Sequence, residues 1–326
     1  MEFRRRVRTL QGLLEAKRLP GTLLSHPHDV FYYTGYPAGT DDHPLALIPA
    51  AGKPVLLLSA LAVPIRAYGQ VLTDGKAFSR HLPRRVGIDE TSLSVASFLS
   101  LRKRTRPVPA GELIKRPRQV KDASELACMR AAVRVDRTVF RSLRLEGTEQ
   151  EVARRIREAF HARGAEEAYE AIVATGRNAG TSIHHVPTAA RLSRQATTIV
   201  DAGASLGGYS TDVTRTFWDS SNRVQQDLAD TVKALQEECI SRVAPGVKFS
   251  SLDAFYKREL GKRGFTVRHG LGHGIGIFVH EPAEKLEKGM VITIEPGIYT
   301  GSMGCRIEDM VLVTRSGREV LTRSVR

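Results

Sequence analysis

Four acidic residues stand in stretches whose neighbours are apolar and strand-like. Asp201 and Asp212 lie in TTIVDAGASLGGYSTDVTRTF (197–217), Glu295 in VITIEPGIYT (291–300) and Glu308 in GCRIEDMVLVT (304–314). Aspartate is a poor strand residue, and a buried carboxylate without a partner is costly or takes up a proton. The first passage reads as a strand ending at Asp201, a turn, and a returning strand that contains Asp212. The Gly207-Gly208 pair permits that reversal and would bring the two acids together. Taken alone, these two aspartates could equally cap backbone groups beside a turn. In the second pair, alternation places Val291, Thr293 and Glu295 on one face. It places Arg306, Glu308 and Met310 on one face of the next strand. Two hairpins with two acids each read as related halves facing one site.

Five of the ten histidines fall between His184 and His280. HGLGHGIGIFVHE (269–281) spaces His269, His273 and His280 along an expected irregular strand, and GRNAGTSIHHVPT (176–188) supplies His184 and His185. Carboxylates with an imidazole suit harder divalent ions such as Mn²⁺ more than thiolate-loving ones. Four carboxylates carry a charge that two divalent ions would cancel. Two ions about 3.5–4 Å apart would clamp a hydroxide and lower its pKa towards neutrality, which is the equipment for hydrolysing an amide or ester.

The elements that must hold these residues are legible in outline. Phe3, Val7, Leu10, Leu13 and Leu14 recur at helical spacing and predict a first surface helix rather than a targeting segment. TLLSH (22–26) predicts a strand and HDVFYYTGY (28–36) a short helix. PLALIPAAGKPVLLLSA (44–60) predicts two strands about a Gly-Lys-Pro turn, and VGIDE (86–90) another strand. The Pro- and charge-rich run 107–122 reads as a crossing between domains. Asp122 or Ser124 then caps a long helix, and Thr148 with Glu151 forms a capping-box pattern for a second, to about Arg163. Strands are expected at 171–175 and 197–202, a helix at 223–243 and paired strands from Val291 onward. The expected organisation is an α/β domain over 1–116 and an α+β domain over 117–326.

Composition narrows the function classes. The chain has 326 residues, 41% hydrophobic and 26% charged, and no stretch long and apolar enough for a membrane span. Its three cysteines, Cys128, Cys239 and Cys305, are far apart and odd in number, which argues for reduced thiols and a cytoplasmic setting. The net charge is +14. Residues 1–120 hold 19 Lys and Arg against 9 Asp and Glu, and the other 206 hold 30 against 26. No recognition motif and few aromatics accompany the basic runs, so a solvated basic face is the reading here and a nucleic-acid partner is not expected.

DAGASLGGYSTDVTRTF, HGLGHGIGIFVHE, VITIEPGIY and RIEDMVLV, in this order, resemble the pita-bread metallopeptidases, and most closely the prolidase and aminopeptidase P group. VFYYTGY and RPRQVKDASELACMRAA resemble that group's N-terminal domain and interdomain segment. Methionine aminopeptidases share the catalytic fold but generally lack this N-terminal domain. The resemblance implies a creatinase/prolidase-type α/β domain followed by an α+β pita-bread catalytic domain. It implies two metal ions, Mn²⁺ first and Co²⁺ or Zn²⁺ as alternatives, bound by Asp201, Asp212, His273, Glu295 and Glu308. Asp212 and Glu308 would bridge or flank both ions. His184 would line the substrate site, His280 would hydrogen-bond the scissile carbonyl or oxyanion, and His269 would line the pocket. Arg306 would orient Glu308 or bind substrate.

The implied reaction is hydrolysis of the bond between an N-terminal residue and proline in a dipeptide or short peptide. A metal-bridging hydroxide attacks, and Glu295 shuttles the proton to the leaving nitrogen. A homodimer is expected from the resemblance. All five ligand positions are filled, unlike the metal-free creatinase branch. After His280, however, the first cation is Lys285, where dipeptidases of the group often carry an arginine for the substrate carboxylate. The alternatives are a metal-dependent hydrolase or lyase of a small carboxylated compound on the same scaffold, and a binding module that uses the basic N-terminal face.

Overall fold

The computed structural model describes residues 2–37, 43–59 and 67–325, and the chain divides into two compact units, Met1–Arg118 and Gln119–Arg326. In the first, the order is α1 (Phe3–Ala16), β1 (Gly21–Leu24), α2 (Pro27–Thr34), β2 (Leu45–Pro49), β3 (Val55–Leu57) and β4 (Gln70–Leu72). There follow α3 (Gly75–Ser79), β5 (Arg85–Ile88), α4 (Val95–Arg102), β6 (Arg106–Pro109) and α5 (Gly111–Gln119). The strands form one mixed six-stranded sheet in the order β4-β3-β2-β1-β5-β6. Val7, Leu10 and Leu14 of α1 are buried, as the helical spacing predicts. The run 107–122 contains the boundary between the two units, as expected, and is largely built as β6 and α5. Prolines 107 and 109 fit there because β6 is an edge strand. Ala60, at the end of the second strand expected from 44–60, lies outside the described residues.

The second unit runs α6 (Ala123–Ser142), α7 (Glu149–His161), β7 (Glu166–Glu167), β8 (Ile172–Thr175), α8 (Arg177–Thr181), β9 (Thr198–Ala202), β10 (Ala204–Leu206), β11 (Tyr209–Ser210) and β12 (Val213–Phe217). It continues with α9 (Arg223–Ser241), α10 (Phe249–Lys262), β13 (Val291–Ile294), β14 (Gly297–Tyr299), β15 (Gly304–Arg306), β16 (Asp309–Val313) and β17 (Arg318–Val320). Asp122 caps α6 in a full capping box with Glu125, and Thr148 does the same for α7 with Glu151. Each box satisfies two N-terminal donors reciprocally. Helices α9 and α10 pack Val232, Leu235, Leu252 and Tyr256 onto a core that includes Ile292, Ile294 and Val311 of the second hairpin. Burying each such aliphatic side chain contributes about 1.5–3 kcal/mol. Among the described residues, no helix is long and apolar enough to cross a membrane.

Two antiparallel pairs form the frame of the site. β9 pairs with β12, with Asp201 opposite Thr214, and β13 pairs with β16, with Ile294 opposite Asp309. The chain between β9 and β12 reverses at Gly207 and Gly208, whose φ angles of 60° and 82° are left-handed. Asp212 is not within the returning strand, as the sequence pattern suggests, but immediately before it. The strand pairing is interrupted there: Ala202 faces Val213, Ala204 accepts from the Thr211 amide, and Gly203 and Asp212 fall between. Gly203 has no room for a side chain, because a Cβ would lie 1.9 Å from the Thr211 carbonyl oxygen.

The 291–300 stretch likewise breaks into β13 and β14 at Glu295 and Pro296, opposite a break at Ile307 and Glu308. Proline has no N–H for the ladder, so pairing stops there. The expected common face of Arg306, Glu308 and Met310 is therefore divided between two strands. The 269–281 segment is not a strand either. It is irregular chain with isolated bridges from Gly274 to Glu281 and Ile292.

Candidate metal centre

Asp212, Glu295 and Glu308 occupy interruptions between strands, whereas Asp201 is the penultimate residue of β9, paired with Thr214 on one side and Ile172 on the other. Glu308 is anchored by its amide on the Thr214 carbonyl (3.0 Å), so the second hairpin is tied to the first at the acid itself. Glu295 donates its amide to Leu271 O (2.9 Å) and Thr293 donates to His273 O (2.8 Å). These bonds lay the histidine segment along β13.

Asp212, His273 and Glu308 present donor atoms within 4.8 Å of one another. The His273 Nε2 lies 3.6 Å from Asp212 Oδ2 and 3.5 Å from Glu295 Oε1. Asp201 joins through Tyr169, whose hydroxyl lies 2.5 Å from Asp201 Oδ1 and also bonds Asp212. Its other oxygen, Oδ2, accepts from Arg306 Nη2 at 2.7 Å. All five residues taken from the sequence as metal-binding thus meet in one place, Asp201 as the outer member.

The electrostatics are those of a site built around positive charge. Burial, then Glu308, Asp201 and Glu295, hold the Asp212 carboxyl well above the usual carboxylate range. Burial and Glu308 do the same to Glu295, and burial and Asp201 raise Glu308 to about 7. Among the described residues, no hydrogen-bond partner meets the buried Glu308 Oε1. Burial pushes His273 down to about 4. Its Nδ1 lies 3.0 Å from the Gly274 carbonyl, which fixes the proton there and leaves the Nε2 lone pair facing two carboxylate oxygens. Lone pairs turned on one another at this range are stable only with a cation or a proton between them. The residues present therefore fit divalent metal ions.

The acids form the floor of a cavity of about 680 Å³. His184, His269 and His280 line it, and the His280 ring lies 4.2 Å from that of His273, centroid to centroid. Burial and His184 lower the His280 pKa. His269 spans Tyr299 Oη (3.0 Å) and Gly270 O (2.8 Å), and burial and Arg306 push it down to about 4. Arg306 is only 2% exposed. Its guanidinium holds Asp201, not Glu308, and also donates to Tyr299 Oη (2.9 Å), Ile183 O (3.2 Å) and Thr214 Oγ1 (3.3 Å).

Three contributors were not singled out from sequence: Tyr169, which joins the two aspartates; Thr214, which donates to Glu308 Oε2 at 2.7 Å; and the buried Glu149. Thr214 is signalled only by its place two residues after Asp212. Tyr169 stands 32 and 43 residues from its partners, with nothing in the spacing to mark it.

An α+β unit whose two strand pairs close acids and an imidazole over one cavity has the pita-bread arrangement of a metal-dependent hydrolase. Residues 127–315 match metallopeptidase family M24, and residues 6–120 match the creatinase/prolidase N-terminal domain. The chain is 31% identical over 329 residues to an uncharacterised peptidase of Staphylococcus aureus, covering 92% of this chain and 93% of that one. It is 32% identical over 231 residues to an Xaa-Pro dipeptidase of Pyrococcus horikoshii, a match spanning 66% of this chain and 66% of the relative's length. The fold is similar to the crystal structure of the prolidase from the same archaeon, with a TM-score of 0.89, 25% identity and 98% of each chain covered. The chain belongs to metallopeptidase family M24, in its prolidase and aminopeptidase P group, with the creatinase/prolidase N-terminal domain ahead of a pita-bread catalytic domain. Membership of the family implies divalent metal ions as cofactors.

Proposed function

We propose that the chain is an exopeptidase that uses two divalent ions to hydrolyse the bond between an N-terminal residue and a following proline, in dipeptides or short peptides. One observation carries the reading: acids from two hairpins and the His273 imidazole converge on the floor of a single cavity. The substrate class comes from the relatives named Xaa-Pro dipeptidase and prolidase. The proposed ligands are Asp201, Asp212, His273, Glu295 and Glu308. Their four carboxylates balance two divalent ions, and oxygen-rich donors of this kind suit Mn²⁺, with Co²⁺ or Zn²⁺ compatible. Such ions, when bound, polarise a carbonyl and make water acidic enough to attack near neutral pH.

The chain's own residues do the rest. Glu295, whose proton affinity is raised by burial and Glu308, takes a proton from the attacking water and passes it to the prolyl nitrogen. That nitrogen belongs to a tertiary amide and must be protonated to leave. His280 donates to the carbonyl oxygen as negative charge develops there. His184 and His269 line the substrate's path, and Arg306 keeps Asp201 aimed. Ile172, Ile183, Val186, Pro187 and Val279 give the wall an apolar side suited to the pyrrolidine ring. Among the described residues no Lys or Arg lines the cavity, and Lys285 is exposed outside its wall. A dipeptide's free carboxylate finds no fixed cation there, which favours peptides extending beyond the proline.

The test is a length series of Xaa-Pro peptides and matched Xaa-Ala controls, assayed with the Mn²⁺-loaded protein. Release of the N-terminal residue from the proline series alone is expected. Failure to cleave any Xaa-Pro peptide overturns the proposal.

A further inference from the structure

Five consecutive residues, 183–187, line the cavity, and they form its longest continuous piece of wall. The segment starts at the floor, where the Ile183 carbonyl accepts from Arg306, and rises to Val186, which is 69% exposed. A second side chain fastens its upper part. Glu149, at the first position of α7, is fully buried. Its Oε2 accepts from His185 Nε2 (2.8 Å), the Thr188 amide (2.9 Å) and Thr188 Oγ1 (2.7 Å). Its Oε1 accepts from the Thr175 amide (2.8 Å) and Asn178 Nδ2 (3.0 Å). Those partners come from β8, α8 and both ends of the 185–188 turn. A buried carboxylate with five donors is fully satisfied and geometrically over-determined.

The arrangement fixes what His185 can recognise. An ionised carboxylate only accepts, so the proton of the ring stands on Nε2. In the neutral ring, Nδ1 then carries a lone pair, and no described residue bonds it. His185 is among the residues that line the cavity, so this acceptor belongs to its wall, and among the described residues no lysine or arginine lines it.

Building on the Xaa-Pro peptidase reading, we propose that His185 is a specificity-determining residue. Its Nδ1 accepts the amide N–H that follows the proline, so that the preferred substrates are Xaa-Pro-Yaa peptides and Xaa-Pro amides. Glu149 is the positioning residue that holds the ring in the accepting tautomer. A free carboxylate brings no N–H to this lone pair, and an ester brings an oxygen in its place. A site that hydrogen-bonds a donor discriminates against the analogue lacking it, because the acceptor, covered by the bound substrate, is then left unpaired.

The test compares Xaa-Pro N-methylamide with Xaa-Pro methyl ester at pH 8, reading cleavage of the Xaa-Pro bond. Wild type, H185A, E149Q and the double variant are assayed, with metal content and thermal midpoint measured on each. The wild type is expected to favour the amide at least about tenfold in kcat/KM, mostly through KM. H185A reduces that preference to about twofold or less with metal content unchanged. E149Q does the same through misorientation, and the double variant adds nothing further. If E149Q loses its fold or metal, H185A alone decides. An amide-to-ester ratio near one in the wild type, or one that survives in H185A, overturns the proposal while the peptidase reading stands. Cleavage of neither substrate, nor of any Xaa-Pro peptide, defeats both.

Discussion

Thr214→Val removes one hydroxyl from beneath the acids and leaves the shape nearly unchanged. That hydroxyl donates to Glu308 Oε2 at 2.7 Å and accepts from Arg306 Nε at 3.3 Å. Glu308 is 1% exposed, and its other oxygen has no hydrogen-bond partner among the described residues. The bond favours the charged form of a carboxylate that burial and Asp201 already push up to about 7. A buried hydrogen bond to a charged group is worth about 1.5–3 kcal/mol. At about 1.4 kcal/mol per factor of ten, its loss weakens divalent-ion affinity about tenfold to a hundredfold near neutral pH, where the variant keeps its proton more firmly. The deficit should narrow as pH rises and both proteins ionise. The assay is a chelator-competition titration of Mn²⁺ at pH 7 and pH 9, with thermal midpoints of the chelated proteins as a fold control. Equal affinities at pH 7 in two folded proteins would refute the claim that Thr214 supports Glu308 as a ligand.

Further outcomes follow from groups away from the ligands. Asp136 on α6 is fully buried, with Oδ1 accepting from the Ala204 amide (3.1 Å) and no partner for Oδ2 among the described residues, and burial raises its pKa to about 7. An acid whose folded pKa lies above its unfolded value near 3.8 favours folding only while protonated, so stability falls from about pH 4 to pH 7 and then levels. Asp136→Asn should therefore gain about 2 kcal/mol more over wild type at pH 8 than at pH 5.5 in urea unfolding; parallel pH profiles would count against it. Lys121→Met takes the ammonium from beside the buried Glu281 (3.1 Å) and should cost about 3–5 kcal/mol, partly restored by adding Glu281→Gln. An unchanged thermal midpoint in the single variant would show that the pair does not hold the segment after His280.

The sequence disclosed most where chemistry and local rules coincide. The boxes at Asp122 and Thr148 are complete in four residues each, so α6 and α7 begin where reading along the chain puts them. The glycine pair at 207–208 likewise announces its turn. What stayed hidden depends on chain remote in sequence. Alternation runs the acids into continuous strands, yet both pairs break at them, because Pro296 cannot donate and Gly203 lets the Thr211 carbonyl press in. Glycine spacing in 269–281 suggests a strand, but that segment takes its course from bonds to β13. Arg306 reads as a neighbour of Glu308 because two residues separate them, whereas folding turns its guanidinium to Asp201, 105 residues away. Helix α10 went unread altogether, and so did Tyr169 and Glu149, whose partners are assembled only by the tertiary fold.

The most direct test of the central claim counts divalent ions per chain by mass spectrometry and measures Xaa-Pro turnover on the same preparations. Wild type, D212A and E308A are each taken through chelation and Mn²⁺ return. Two ions per wild-type chain are expected, with turnover that disappears with chelation and returns with the ions, and loss of both ions and turnover in the variants. Full turnover from chelated protein, or from a variant that binds no metal, would contradict it.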